Sequence, residues 1–190
     1  FCWTGKTVVE AKKLGIAGFG LEAHPFAHFA SSTKTHWQVD LGAFDTGLAS
    51  VQRNYRKIVA GPRLGFTAEE EKVLLDGSIS PLPLHKTLAL REAILKVNDE
   101  PVRNVFRLLL ATTAVTDASN IQFGPEVGVG KKKEDAAPFE AWLARAHSAR
   151  TGLEAVKDKK DTPSTIYKAD SRDPSALQNG SIDFVFTSPP

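Results

Sequence analysis

The sequence ends in an apolar run followed by two prolines, DFVFTSPP at positions 183–190. Apolar residues at 184–186 are typical of a short strand that is buried on both faces, and we predict that strand at 182–186. Because proline cannot donate to a sheet ladder, the strand ends before Pro189. The turn at 188–190 is then expected at the carboxyl edge of an open α/β sheet, where such sheets bind ligands. Its hydroxyl and carbonyl oxygens suit it to accept hydrogen bonds from an amine.

The chain is long enough for a substantial core, and its composition is that of a globular protein. It has 190 residues, of which 42% are hydrophobic, and a formal net charge of +2 that is compatible with a polyanionic partner without requiring one. The single cysteine, Cys2, excludes an internal disulfide framework and a multi-cysteine metal site and favours a reducing compartment, so we predict a cytoplasmic protein. The five histidines are scattered without ligand spacing, and we expect no metal. No apolar run is long enough to cross a membrane. Because methionine is absent and both ends lie within apparent motifs, we expect a fragment of a longer protein, with no enzymatic turnover from the fragment alone.

Helix and strand patterns alternate in the first 38 residues. Helical apolar spacing predicts a helix at 7–14, with Gly15 in the position of a left-handed cap. The apolar, glycine-interrupted stretch 16–23 predicts a buried strand that brings Glu22 to the sheet edge. Pro25 follows at the start of a second helix. The apolar side of that second helix is predicted to comprise Phe26, Phe29 and Ala30.

A helical pattern replaces this alternation between 39 and 163. A capping box at 67–70 (TAEE) leads into Val73, Leu74 and Leu75, and two prolines separate it from a helix at 84–97. Asn98 or Asp99 caps the next helix. The predicted apolar side of that helix comprises Val105, Leu108, Leu109 and Thr112, and that of the last helix comprises Phe139, Trp142, Leu143 and Ala146.

A strand pattern returns at 165–169 (TIYKA) and ends at Asp170, ahead of the strand predicted at 182–186. We therefore predict an interrupted α/β domain formed by 1–38 and 164–190, with a helical insertion at 39–163.

The N-terminal stretch FCWTGKT at 1–7 immediately precedes a predicted helix, whose amino end attracts anionic groups. Two interpretations compete. Gly5-Lys6-Thr7 matches the end of a phosphate-binding loop, whose first glycine would lie before residue 1. The alternative is the glycine loop of a methyltransferase. An acid at Glu22, placed to accept ribose hydroxyls, and a final strand that ends without a magnesium-binding Asp favour the methyl donor.

Several motifs, taken in order, resemble those of amino-group DNA methyltransferases that modify N4 of cytosine or N6 of adenine. They are FCxxGxT at 1–7, VEAKKLG at 9–15, GLEAHP at 20–25, DSR at 170–172 and DFVFTSPP at 183–190. The segment ASNIQFGP at 118–125 is similar to one found in members that carry a helical insertion. The resemblance implies a Rossmann-like methyltransferase sheet, S-adenosyl-L-methionine as cofactor and double-stranded DNA with a flipped target base as partner.

The resemblance also assigns roles to individual residues. The methionine part of the cofactor is expected at Phe1 and Gly5, its ribose at Glu22 and its adenine amino group at Asp170. The residues expected to form the catalytic loop are Ser188, Pro189 and Pro190. Serine before the two prolines slightly favours the cytosine amine over the adenine amine, as in restriction-modification enzymes. Trp3 departs from the family, in which glycine is usual at that position.

Two further functions are compatible with the same motifs. An RNA base methyltransferase uses the same loop, and a binding or scaffold protein with a decayed cofactor loop retains the motifs without activity.

Individual residues also have simpler structural interpretations. Glu22 could cap the following helix, and Asp170 could do no more than begin a turn. The basic run at 131–133 is typical of a solvated turn, with nucleic-acid contact as the alternative. Phe139 and Trp142 are predicted to be core residues.

Overall fold

The computed structural model describes residues 2–73, 75–173 and 175–187. The chain divides into two compact units. Unit 1 comprises Phe1–Val39 and Gly152–Pro190, and unit 2 comprises Asp40–Thr151. Whether unit 2 is an insertion into a single α/β domain, as predicted for 39–163, stays a prediction.

The described residues form a mixed α/β protein with seven α-helices and four short strands. In chain order the elements are α1 (Lys6–Lys13), β1 (Gly18–Leu21), α2 (Pro25–Thr35), α3 (Leu41–Val59), α4 (Ala68–Glu71), α5 (Pro81–Leu95), α6 (Glu100–Thr113), a π-helical turn (Ala114–Ala118), β2 (Ile121–Phe123), β3 (Val127–Val129), α7 (Pro138–Ala155), a 3₁₀ turn (Lys157–Lys159) and β4 (Ser164–Tyr167). None of these helices is both long and apolar enough to span a membrane.

Unit 1 is built on a two-stranded parallel sheet formed by β1 and β4. Gly18 pairs with Ser164 and Leu21 with Tyr167, and the Glu22 amide extends the ladder by donating to the Tyr167 carbonyl at 2.9 Å. Parallel strands need a long crossover connection, which here contains all of unit 2. The predicted helix at 7–14 and the strand leading to Glu22 are confirmed, whereas a Rossmann-like class stays a prediction.

A buried lysine joins the helices of unit 1 to its sheet. The Lys12 ammonium donates to the Thr35 carbonyl and to the Ser164 hydroxyl, both at 2.9 Å, and lies 5.1 Å from the centre of the Trp37 ring. Burial lowers the pKa of Lys12, and the nearby Asp161 partly offsets that effect. Since the side chain is only 4% exposed, these contacts provide the polar partners that a buried ammonium requires.

The predicted buried strand at 182–186 is wrong. These residues form neither helix nor strand, and Phe184, Val185 and Phe186 are 80%, 75% and 67% exposed. An apolar run becomes a buried strand only where a neighbouring strand accepts its ladder and both of its faces are covered. Within the described residues, β1 and β4 pair with each other and no third strand joins them.

The buried side of α2 matches the prediction only in part. Ala30 is buried as predicted, whereas Phe26 is half exposed, and the helix packs mainly through small residues. Its buried residues are Ala27, Ala30, Ser31 and Thr35. These small side chains allow the chain before α1 to approach the backbone of α2 closely.

Unit 2 has a helical core in which aromatic rings pack edge to face. Phe106 lies 4.8 Å from Phe44 and 5.2 Å from Trp142, between ring centres, at steep interplanar angles in both cases. Trp142 is fully buried, and its Nε1 donates to the Phe106 carbonyl at 3.1 Å. Phe139 stacks on Tyr55 at 4.2 Å. The prediction that Phe139 and Trp142 are core residues is confirmed.

Three details of unit 2 were predicted incorrectly. The prolines at 81 and 83 lie in the first turn of α5, where a missing amide donor costs little, and do not precede the helix. The capping box is present at Thr67, but α4 ends at Glu71 and Val73 is 84% exposed. On α6 the buried residues are Val102, Phe106 and Thr113. Both this set and the predicted one have helical spacing, so only packing against α3 and α5 distinguishes them.

Candidate cofactor-binding site

The candidate site lies where β1 ends, at Glu22. This side chain is 1% exposed. Its Oε1 accepts a hydrogen bond from the His24 amide at 2.9 Å, whereas its Oε2 is buried and has no hydrogen-bond partner among the described residues. The cap of α2 is provided by His24, whose Nδ1 accepts from the Ala27 amide at 3.3 Å. Helix capping therefore does not explain why a carboxylate is buried at position 22.

The chain before α1 runs alongside the end of β1. The Cys2 amide donates to the Leu21 carbonyl at 3.1 Å, and the Gly5 amide donates back to the Cys2 carbonyl at 2.9 Å, which closes a tight turn. This approach requires a glycine in the strand, because a Cβ at Gly20 would lie 2.7 Å from the Cys2 sulfur. We refer to residues 2–5 as the glycine loop. Two of its residues have left-handed backbone angles, Trp3 at φ +48° and Gly5 at φ +78°.

Gly5 is the point at which the glycine loop touches α2. A Cβ there would lie 2.7 Å from the Cβ and 3.0 Å from the Cα of Ser31. Since a helix backbone cannot move aside like the end of a flexible side chain, position 5 accepts only glycine without rearrangement. A second contact is made by Lys34, whose ammonium donates to the Thr4 carbonyl at 3.2 Å. The helix thus fixes the loop from two positions one turn apart.

Cys2 connects the glycine loop electrostatically with Glu22. Burial is the largest cause that raises the pKa of the Cys2 thiol; a hydrogen bond with Ser31 opposes the rise, and the negative charge of Glu22 adds to it. A raised pKa keeps Cys2 as a thiol at neutral pH, which agrees with its interpretation as a small packing residue and not as a nucleophile. The charge effect also places the loop close to the Glu22 carboxylate.

Asp170 lies three residues beyond the end of β4 and is exposed. Its carboxylate accepts hydrogen bonds from the Arg172 amide at 2.9 Å and from the Arg172 Nε at 3.0 Å. These bonds lower the pKa of Asp170 to about 2. The turn that the sequence offered as an alternative is therefore present. A contact with the cofactor adenine stays a prediction.

The structure brings Gly5 and Glu22 together around Cys2. The other predicted site residues are Phe1, Ser188, Pro189 and Pro190, which lie outside the described residues. Sequence reasoning did not identify Ser31 or Lys34. Ser31 is not part of the apolar side predicted for α2, and nothing in the sequence distinguishes Lys34 from other surface lysines.

A recess of about 440 Å³ lies at the opposite end of the sheet, near the first residues of β4. Lys12, Thr35 and Ser164 contribute to its wall, so it is separate from the carboxyl end of β1. Among residues 2–73, 75–173 and 175–187, no group of three His, Cys, Asp or Glu side chains is arranged to hold a metal ion.

No family model matches the sequence, and searches of curated proteins and of solved structures gave no match.

Proposed function

We propose that the chain is part of an S-adenosylmethionine-dependent methyltransferase that acts on an exocyclic amino group of a DNA base. The buried carboxylate of Glu22 is the observation that carries the proposal. One of its oxygens has no hydrogen-bond partner in the described residues, which is costly unless a ligand provides the donor. A ribose supplies two neighbouring hydroxyl donors, and its recognition by an acid at the end of a strand is a recurrent solution in nucleotide-binding sheets.

The glycine loop fits the other end of the same cofactor. Gly5 is the residue before α1, and the first-turn amides of that helix have no intrahelical acceptors. The partial positive charge at this helix end favours a carboxylate such as that of the methionine part. When bound, S-adenosylmethionine supplies an electrophilic methyl group. The chain's own contribution is to hold the cofactor between the glycine loop and Glu22.

The proposed target, an amino group of a DNA base, rests on the resemblance of residues 183–190 to the catalytic motif of amino-group DNA methyltransferases. In this assignment the Ser188 side chain and the Pro189 carbonyl accept hydrogen bonds from the target amine and orient its nitrogen, and cytosine N4 is the favoured target. Incubating the full-length protein with cofactor and DNA, then digesting the DNA to nucleosides, identifies the modified base. N6-methyladenine would reverse the base assignment, and methylation of RNA alone would favour an RNA methyltransferase.

Glu22→Gln is expected to weaken S-adenosylmethionine binding by about 10- to 100-fold, because a hydrogen bond to a charged acceptor contributes roughly 1.5–3 kcal/mol. The amide retains an oxygen for the His24 amide, and it removes a buried charge. The free energy of unfolding should consequently stay equal or rise. Titration calorimetry measures the first quantity and urea unfolding the second.

Glu10→Gln provides the matched control for this change. Glu10 is half exposed on α1 and pairs with Lys13 at 3.0 Å, so its substitution makes the same chemical change away from the site. Binding by this variant should equal that of the unchanged chain. Equal affinity in the Glu22 variant, or no binding of cofactor by the unchanged chain, would contradict the proposal. Tight binding of ATP with magnesium would instead support the phosphate-loop interpretation.

Trp3→Gly is expected to strengthen cofactor binding severalfold. Trp3 adopts φ +48° and is 61% exposed, and a left-handed angle costs roughly 1–2 kcal/mol in a residue other than glycine. Glycine relieves this strain and removes a large ring from the loop. Calorimetric titration of the variant with S-adenosylmethionine checks the effect. Equal or weaker binding would show that the indole does not obstruct the loop, whereas binding gained only in the variant would favour a decayed site in the natural sequence.

A further inference from the structure

The hairpin formed by β2 and β3 is an exposed, partly apolar ribbon in unit 2. The two strands pair antiparallel from Ile121 with Val129 to Phe123 with Val127. Phe123 is 70% exposed and Val127 61% exposed, and the two residues lie opposite each other beside the turn of the hairpin. Single exposed apolar residues are common, but a cluster on one projecting element indicates a contact surface.

The base of the hairpin is held rigidly by Asn120, which is 2% exposed. Its side-chain amide donates to the Gly77 carbonyl at 2.9 Å, and its side-chain oxygen accepts from the Lys133 amide at 2.7 Å. Its backbone carbonyl accepts from the Gly130 amide, also at 2.7 Å. Both ends of the ribbon therefore meet at Asn120, whose side-chain amide and oxygen are both hydrogen-bonded. The exposed tip is presented by a fixed base and not by a loose loop.

The chain leaving β3 carries three lysines at 131–133, and this run was predicted to be a solvated turn. The prediction is wrong for Lys133, whose ammonium donates to the carbonyls of Thr116 and Asp117 at 3.1 Å. Lys131 and Lys132 remain exposed.

The acidic groups near the ribbon are fewer than the basic ones. Asp135 forms an ion pair with Lys86, which leaves the exposed Glu126 and Glu134 as nearby carboxylates. The four lysines at 86 and 131–133 and the three acids at 126, 134 and 135 together give this region a net charge of +1. This small net charge is compatible with an anionic partner, and the two exposed lysines at the exit of the ribbon, Lys131 and Lys132, are suited to phosphate contacts.

We propose that the β2–β3 hairpin is a DNA-docking element that places the ribbon in a groove of the duplex, with Lys131 and Lys132 on the phosphates and Phe123 against the bases. The major groove is wide enough for a two-stranded ribbon, and an exposed apolar side chain beside basic residues is a common means of contacting base edges. The choice of DNA as the partner rests on the proposed methyltransferase function. The docking surface itself lies entirely within unit 2.

Fluorescence anisotropy of the full chain with a labelled 24-base-pair duplex, titrated at several salt concentrations, tests this proposal. Lys131→Gln combined with Lys132→Gln is expected to weaken binding about tenfold or more and to reduce the slope of log K against log salt by about 2, because each phosphate contact contributes about 0.9 to that slope. Phe123→Ala should weaken binding about fivefold or more, as expected for a lost base contact, without changing the slope.

Arg56→Gln combined with Lys57→Gln is the matched control, since it removes the same charge from exposed positions at the end of α3 in the same unit. The proposal is overturned if the hairpin variants bind like this control, if the unchanged chain does not bind the duplex, or if it prefers single-stranded RNA of the same length. It is also overturned if sedimentation shows a dimer that Phe123→Ala dissociates, because a second copy then covers the tip. Hairpin-dependent DNA binding without cofactor binding would leave this proposal standing and defeat the methyltransferase.

Discussion

Gly5→Ala is expected to lower the free energy of unfolding of unit 1 by about 2–5 kcal/mol and to weaken S-adenosylmethionine binding more than 100-fold. The first part of the loss is backbone strain, since φ +78° costs roughly 1–2 kcal/mol with a Cβ. The second part is overpacking against Ser31, which typically costs about 1–3 kcal/mol. To relieve the contact, the glycine loop must move relative to α2, and we expect this to disturb its position beside the end of β1. Urea unfolding and calorimetric titration measure the two effects.

Gly15→Ala separates the strain from the contact. Gly15 has a similar angle, φ +74°, but the nearest atom to an added Cβ is the flexible end of Lys159 at 3.7 Å. Only the strain is therefore expected there, with a loss of roughly 1–2 kcal/mol and unchanged cofactor binding. If the two alanine variants lose the same stability and bind alike, the close approach of the glycine loop to α2 has no role in the site.

Trp142→Ala is expected to destabilise unit 2 by about 3–5 kcal/mol, which is the usual cost of removing a buried aromatic side chain. The indole is fully buried between Phe106 and Phe139, so its removal leaves a cavity that surrounding helices cannot fill without moving. It also leaves the Phe106 carbonyl without the Nε1 donor. Differential scanning calorimetry should find a markedly lower melting temperature for the variant.

Trp142→Phe is the companion variant, because it keeps an aromatic ring in the core and removes the indole donor. Its cost should be smaller than that of alanine, because the cavity is smaller and the Phe106 carbonyl, which lies within α6, keeps its helical hydrogen bond. The lost Nε1 hydrogen bond contributes roughly 0.5–1.5 kcal/mol. A loss below about 1 kcal/mol for Trp142→Ala would contradict the central packing position of this residue, since surface substitutions cause changes of that size.

Local signals predicted the elements whose causes are local. Gly15 ends α1 because a residue without a Cβ takes a left-handed angle freely, and Thr67 caps α4 through contacts within four residues. The strand that delivers Glu22 was predicted for a similar reason, since its apolar stretch ends at an acid. Long-range partners decided the failures. The run at 184–186 has the composition of a strand but no neighbour in the described residues, and α6 has two faces with helical spacing.

The candidate site was predictable to the same extent. Gly5 and Glu22 stand out in sequence because glycine before a helix and an acid after a strand have recognisable physical uses. Ser31 and Lys34 act only by facing the glycine loop, so their importance depends on where α2 packs. The Lys133 side chain illustrates the same limit in unit 2: a basic run predicts solvation, but the carbonyls at the end of the π-helical turn accept its hydrogen bonds.

The parallel pairing of β1 with β4 has a consequence for how the chain folds. The contact between Lys12 and Ser164 joins residues 152 positions apart, and closing so long a connection is entropically costly before any sheet contact compensates for it. Once unit 2 has folded, the chain between β1 and β4 contains far fewer freely moving residues, because most of that connection is then part of a folded unit. Collapse of the helical core around Trp142 therefore favours the meeting of the two chain segments that carry Glu22 and its strand partner. Variants that only destabilise unit 2 are consequently expected to delay assembly of the candidate site around Glu22, although they touch none of its residues.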